Sequence, residues 1–166
     1  MTQLMQQILG ASHPCDRVLE AARPEVFAEI ESCYSVLIDS IDEGSLSATE
    51  RVAIALRVAA LHENAALTSW FTDVLLDLDP TEETSDLAAS GLTVTSRQAG
   101  ARLATLINYA TQQTLEPAAI HRLRVLDVAD QFTPQEIVCL SELVAFVAYL
   151  VRVITGMQLL RGLEGA

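Results

Sequence analysis

The stretch Leu46-Ser47-Ala48-Thr49-Glu50-Arg51-Val52-Ala53-Ile54-Ala55-Leu56-Arg57-Val58-Ala59-Ala60-Leu61 decides the fold. It opens with a capping box. The Ser47 hydroxyl can accept from the backbone N–H of Glu50, and the Glu50 carboxylate can reach back to the Ser47 N–H. The residues after the box are apolar at helical spacing and rich in alanine, which predicts a helix closely packed by its neighbours. A second stretch, Phe132-Thr133-Pro134-Gln135-Glu136-Ile137-Val138, repeats the pattern apolar–Ser/Thr–x–x–Glu–x–Val and also opens a long apolar helix. Any two capped buried helices would look alike in this way, and so would a duplicated helical unit. The residues leave both readings open.

Helical spacing extends outward from these two stretches. Pro24 suits the first position of a helix running to about Ile41, with Val26, Phe27, Ile30, Cys33, Tyr34, Leu37 and Ile41 on one stripe. Asp42 to Leu46 reads as a turn marked by Gly44. His62-Glu63-Asn64 is a joint or a continuation into Ala65 to Leu78, and Asp79-Pro80 ends that helix. Thr81 to Ser90 reads as a short acidic helix stopped by Gly91. Ser96 caps a helix over roughly 97–114, Pro117 opens another to about Ala129, and the Thr133 box opens the last, to about Leu160. Residues 1–22 are weakly patterned and predict a short helix and an arm. No stretch alternates like a strand. The expectation is an all-α chain of six to eight helices, with an N-terminal arm over 1–23 and one helical domain over 24–166.

Composition narrows the function. The 166 residues are 51% apolar and 19% charged, enough to bury a core. Ten basic against 22 acidic residues give a net charge of −12, which argues against a nucleic-acid partner and against an anionic membrane surface. All ten basic residues are arginine, which excludes a Schiff-base or P-loop lysine. MTQLMQQILG lacks the basic start and apolar run of a secretory signal. The run from Ile137 to Leu160 is interrupted by Glu142 and Arg152, with nine apolar-rich residues between them, and reads as a buried helix rather than a membrane span. A cytoplasmic address is the default expectation.

The residues that could carry chemistry are few. Cys15, Cys33 and Cys139 form no CxxC pair, so no disulfide framework and no zinc site is indicated. Cys33 and Cys139 read as small core residues. Cys15 follows His13-Pro14 and reads as part of a surface arm. His13, His62 and His121 show no metal-binding spacing. His62-Glu63-Asn64 is the densest polar cluster in an apolar stretch. It is either an acid/base group at a pocket or an exposed helix end with Asn64 capping the next helix. The run Asp77, Asp79, Glu82, Glu83 and Asp86 lacks EF-hand spacing and reads as a solvated face. Glu142 and Arg152 are too far apart to pair within one helix, which suggests an ion pair between subunits.

The stretch from Leu46 to Leu61 resembles the carboxymuconolactone decarboxylase and AhpD-like alkylhydroperoxidase superfamily. So do Leu103 to Ala110, Leu115-Glu116-Pro117, the Phe132 to Ile137 cap and Ala148 to Arg152, so the resemblance spans roughly 24–160. It implies an AhpD-like helical bundle and self-association as dimers, trimers or hexamers. The peroxidase branch reads E-x11-C-x2-C-x3-H, in which one Cys attacks the peroxide, the other resolves the sulfenic acid, and Glu and His move protons. In register, those positions are Val52, Asn64, Leu67 and Phe71. None can form a thiolate or relay a proton, and a shift of one or two residues does not help, because no Cys lies between Cys33 and Cys139. The resemblance therefore implies the scaffold without the thiol mechanism.

Three functions remain. One is a structural or regulatory subunit, with a CxxC-bearing family partner. Another is a cysteine-independent decarboxylase-type enzyme, for which Arg57, Arg152, His62 and Glu63 are the candidate residues. The third is a binder of a small apolar ligand between helices. A peroxidase built on a cysteine outside the family position ranks below these. No cofactor and no metal is implied.

Overall fold

The computed structural model describes residues 2–40, 46–78, 81, 101–119 and 131–163. Among them are seven α-helices and one short 3-10 helix. The α-helices are α1 (Gln3–Leu9), α2 (Pro14–Ala22), α3 (Pro24–Leu37), α4 (Ala48–Leu61), α5 (Ala65–Asp77), α6 (Ala101–Leu115) and α7 (Pro134–Leu163), and the 3-10 helix spans Pro117–Ala119. No strand occurs among the described residues. The expected helix over 81–90 apart from Thr81, the expected turn over 42–45, the Asp79-Pro80 stop, the Ser96 cap and the stretch from 120 to 129 with His121 lie outside the described residues.

Helix α4 is the centre. Its nine residues from Arg51 to Ala59 are all buried, so it has no solvent face. Helices α5, α6 and α7 pack around it, and Ala53, Ala55 and Ala59 let those neighbours come close. Enclosing two arginines in this helix requires acceptors. Arg51 Nη1 donates to the Ser40 carbonyl at 2.6 Å, and Arg57 Nε donates to Thr111 Oγ1 on α6 at 3.1 Å.

Both capping boxes form. The Ser47 N–H donates to Glu50 at 2.8 Å, and the Glu50 N–H returns to Ser47 Oγ at 3.2 Å. The Thr133 N–H donates to Glu136 at 2.7 Å, and the Glu136 N–H returns to Thr133 Oγ1 at 3.2 Å. The two echoing segments are neighbours in space. Arg102 of α6 donates to Glu50 and to Glu136 at 2.6 Å each, and its guanidinium lies 4.7 Å from the centre of the Phe132 ring. One arginine thus ties the starts of α4, α6 and α7 together.

Helix α7 buries Leu140, Leu143, Val147, Leu150, Ile154 and Met157, spaced alternately by three and four residues, against the body of the bundle. Its most apolar window of eighteen residues has a mean hydropathy of 2.2, so by length and composition alone it could cross a membrane. Forty-four per cent of that window is buried inside the bundle. The helix is thus more apolar than the spacing of its two interrupting charges suggests.

Two expectations are adjusted. Helix α3 stops at Leu37 rather than near Ile41. The segment expected as a short helix and an arm folds into two helices, α1 and α2, and Leu4, Met5 and Ile8 are buried in the main core. Amphipathic spacing there is short, so its pattern is faint, yet it has a face to bury against α5.

Helix α2 is held by a buried ion pair. Asp16 is fully buried and takes two bonds from Arg161, Nε to Oδ1 at 3.1 Å and Nη2 to Oδ2 at 2.7 Å. Burial acts to raise the Asp16 pKa. The bond from Arg161, the His13 N–H and the charge of Arg161 outweigh it and hold the carboxyl below its ordinary 3.8. A depressed carboxylate pKa stabilises the fold above the unfolded value, and that contribution is lost as pH falls through the folded value. Asp16→Asn should cost about 3 kcal/mol at neutral pH, the scale of breaking a buried pair. Denaturant unfolding at several pH values checks it: the gap to the parent should be full at neutral pH and close as pH drops below 3.8. A gap independent of pH would show that the pair does not carry the effect.

Candidate functional site

The site singled out by sequence is the joint between α4 and α5. Helix α4 ends at Leu61 with His62 at its C-terminus, and the backbone reverses through Glu63 at φ 54°. Such a φ is uncommon for a residue with a Cβ. The turn is closed by N–H bonds from His62 to Val58 at 3.2 Å, from Glu63 to Ala60 at 3.0 Å and from Asn64 to Ala59 at 3.2 Å. Asn64 then caps α5, accepting from the Leu67 N–H at 3.0 Å, and its amide donates to Thr155 of α7 at 3.2 Å. The segment is therefore a joint, and Asn64 has a full set of partners suited to a cap.

The four candidate residues are placed differently. His62 is half-buried, and its Nε2 has no hydrogen-bond partner. Burial, and then the charge of Arg152, push its pKa down, so the ring is neutral at pH 7. Arg152 is exposed on α7 and donates to its own helix at the Ala148 carbonyl, 2.6 Å away. These two residues are within electrostatic reach of each other. Arg57 is buried and committed to Thr111, and burial pushes its pKa down. Glu63 is exposed on a groove of about 510 Å³ shared with Ala60, Thr68, Thr72 and Asp73.

The positions aligned with the peroxidase motif are structural in this chain. Val52 is buried in α4, and Leu67 and Phe71 are fully buried in α5. Asn64 and Leu67 are the cap and the third residue of α5. A helix N-terminus is where a thiolate would be stabilised. In this chain the same places carry a capping amide and a core leucine.

Sequence reasoning missed one cluster. Cys15, expected on a surface arm, is buried at the start of α2, with His13 Nδ1 3.1 Å from its Sγ and Asp16 Oδ1 3.8 Å away. Arg161, brought in by the bonds to Asp16, also donates to the Leu9 carbonyl at 2.8 Å. The charge of Asp16 helps raise the pKa of Arg161, after its hydrogen bond to Asp16. The local signal is present in His13-Pro14-Cys15-Asp16, a cap followed by Pro and an acid at the third helical position. The partner Arg161 is 145 residues distant and leaves no local trace. Among the described residues, no three His, Cys, Asp or Glu side chains are grouped to hold a metal ion.

A second feature without a sequence signal is a cavity of about 490 Å³ between α1, α3 and α5, lined by Gln7, Glu31, Tyr34, Asp39 and Trp70 among others. Trp70 Nε1 donates to the Tyr34 hydroxyl at 3.2 Å, and burial pushes the Tyr34 phenol up to about 12. Burial also raises the Asp39 pKa.

No protein-family model matches the chain, and a search of curated proteins found no match. Among solved structures it superposes on an uncharacterized peroxidase-related protein from Silicibacter sp. TM1040 with a TM-score of 0.70, covering 93% of this chain and 78% of that one at 19% identity. At that identity the likeness speaks for the fold alone, an all-helical bundle of the kind that the resemblance of the two capped helices implies.

Proposed function

We propose that the chain is an AhpD-like protein that works without a thiol peroxidase centre at the α4–α5 joint, as a structural or regulatory subunit in the cytoplasm. The observation that carries this reading is the use made of the joint. Asn64 is committed to capping α5 and tying it to α7, and Leu67 and Phe71 fill the core behind it. A cysteine-bearing relative is the fitting partner, since it would supply the chemistry that Val52, Asn64, Leu67 and Phe71 lack. The neutral His62 beside Arg152 is the pair a thiol-free decarboxylase-type enzyme would use, with the cation holding a substrate carboxylate and the imidazole moving a proton.

A specific contact favours a second reading. Cys15 has a histidine nitrogen at 3.1 Å and an arginine nearby, which is the setting of a reactive thiol. In that reading the Cys15 thiolate attacks a hydroperoxide and the O–O bond breaks. The products are a Cys15 sulfenic acid and an alcohol that takes the proton, and two equivalents of an external thiol restore the cysteine as water leaves.

Consumption of an organic hydroperoxide with a dithiol reductant separates the two readings. The first expects no turnover beyond buffer, with Cys15→Ser, Cys33→Ser and Cys139→Ser indistinguishable from the parent. Turnover abolished by Cys15→Ser alone would overturn it in favour of the second. The structural use of the joint has its own test. Asn64→Ala should lower stability by about 1–2 kcal/mol through loss of the cap, while Asn64→Asp, which keeps the acceptor, should retain most of it. Thermal unfolding of both variants measures this, and equal losses would mean that the cap contributes little.

A further inference from the structure

Helix α7 carries a second seam that its own subunit leaves open. Val138, Glu142, Ala145, Tyr149, Arg152 and Gly156 follow one another in alternate steps of four and three residues, and Leu159 and Leu163 continue the series. That is the spacing of the a and d positions of a coiled coil. The series lies on the side of α7 away from its inner seam. Val138 is 56%, Tyr149 45%, Leu159 66% and Leu163 74% exposed. Among the described residues ten large apolar side chains are exposed, and five of them are on α7. Exposure is therefore concentrated on one helix rather than scattered over the surface.

Two features of the seam have no explanation within one subunit. Gly156 stands inside a 30-residue helix, yet a Cβ at that position would meet nothing within 4 Å. Glycine there costs about 1 kcal/mol relative to alanine, and nothing in the subunit requires it. Glu142 and Arg152 interrupt an apolar helix, and among the described residues neither forms an ion pair.

Both features are explained by a second copy. Set two α7 helices antiparallel about a two-fold axis beside Val147. Glu142 then faces Arg152 of the partner subunit, Ala145 faces Tyr149 of the partner subunit, and Val138 faces Gly156 of the partner subunit. The symmetry repeats each pairing. Every apolar layer sets a larger side chain against a small one, and the polar layer sets opposite charges together. A parallel pairing would set each charge against its own copy. An antiparallel pairing slipped by one heptad would set Glu142 against Ala145 or Leu159 of the partner subunit. The charges therefore select one orientation and one register. The groove of about 430 Å³ between α3 and α7, lined by Val36, Leu37, Val138 and Cys139 among others, lies beside the start of the seam, where it can take Leu159 of the partner subunit.

We propose that the outer seam of α7 is an isologous dimer interface, occupied by a second copy of this chain in the antiparallel register fixed by the two Glu142–Arg152 pairs. This is compatible with the structural-subunit reading and with the Cys15 reading, and it commits Arg152 to Glu142 of the partner subunit rather than to a substrate carboxylate. A lipid bilayer is the competing occupant, because the helix is long and apolar enough to span one.

Sedimentation velocity on the full chain tests the proposal, with circular dichroism to follow the fold. The parent is expected to be a dimer at tens of micromolar. Arg152→Glu should weaken dimerisation by about 100-fold or more. The double variant Glu142→Arg/Arg152→Glu should restore it, because the swapped charges again meet their opposites. Gly156→Leu should also weaken the dimer while leaving the helical signal and the unfolding temperature of the subunit unchanged or higher, since the subunit has room there. A monomeric parent would overturn the proposal, as would a dimer indifferent to Arg152→Glu and Gly156→Leu, or failure of the double variant to rescue. So would a monomer that co-sediments with phosphatidylcholine vesicles, which would make lipid the occupant.

Discussion

The rest of the structure depends on one constraint, the burial of α4 on every side. A helix with nine consecutive buried residues cannot lie on a surface, so other helices must enclose it. The alanines set how near they come, and the arginines set what must be nearby. Arg51 needs the Ser40 carbonyl just beyond α3, and Arg57 needs the hydroxyl of Thr111 on α6. A guanidinium suits this task because its planar fork directs several N–H groups at fixed acceptors and is less strongly hydrated than an ammonium. The two capping boxes and Arg102 then fix where α4 and α7 begin relative to each other.

Helix α7 completes the enclosure and takes on more than one task. Its inner seam packs on the bundle, and Thr155 receives the Asn64 amide, so the α4–α5 joint is braced from α7. Near its end, Arg161 reaches Asp16 and the Leu9 carbonyl, which fastens α1 and α2 to the bundle. The N-terminal segment therefore contributes to the core through Leu4, Met5 and Ile8, and depends on a charge pair whose two members come from opposite ends of the sequence.

What sequence makes legible divides along the range of the interactions. Capping boxes act within four residues, so Ser47, Glu50, Thr133 and Glu136 announce themselves, and with them the positions of α4 and α7. Apolar stripes act within a helix, so α3 and α5 are legible, although their ends shift by a few residues where a terminus is set by tertiary contact. Helices α1 and α2 are too short for periodicity to stand out, and the buried Asp16 is paired with Arg161, which no local pattern connects to it. The cavity between Tyr34 and Trp70 is invisible for the same reason, since three separate helices shape it. The joint at His62-Glu63-Asn64 is a middle case. Its cap is readable from residue types, whereas the nearness of His62 to Arg152 is a matter of packing.

The electrostatics of the joint bear on what this packing of α4 and α5 asks of the residues that form it. A thiolate at the start of α5 would draw on the helix N-terminus and on nearby proton carriers. In this chain Leu67 and Phe71 are apolar, burial lowers the pKa of His62, and Asn64 supplies the capping oxygen without a charge, while Arg57 stays cationic and is committed to Thr111. The fold needs an acceptor for the Leu67 N–H and an apolar filling behind it, and an amide with a leucine and a phenylalanine meets both needs. Nothing in the packing of α4, α5 and α7 requires sulfur at that position. The scaffold and the chemistry are separable at this joint, because the cap is an obligation of the backbone and the thiol is only one way to occupy the space around it.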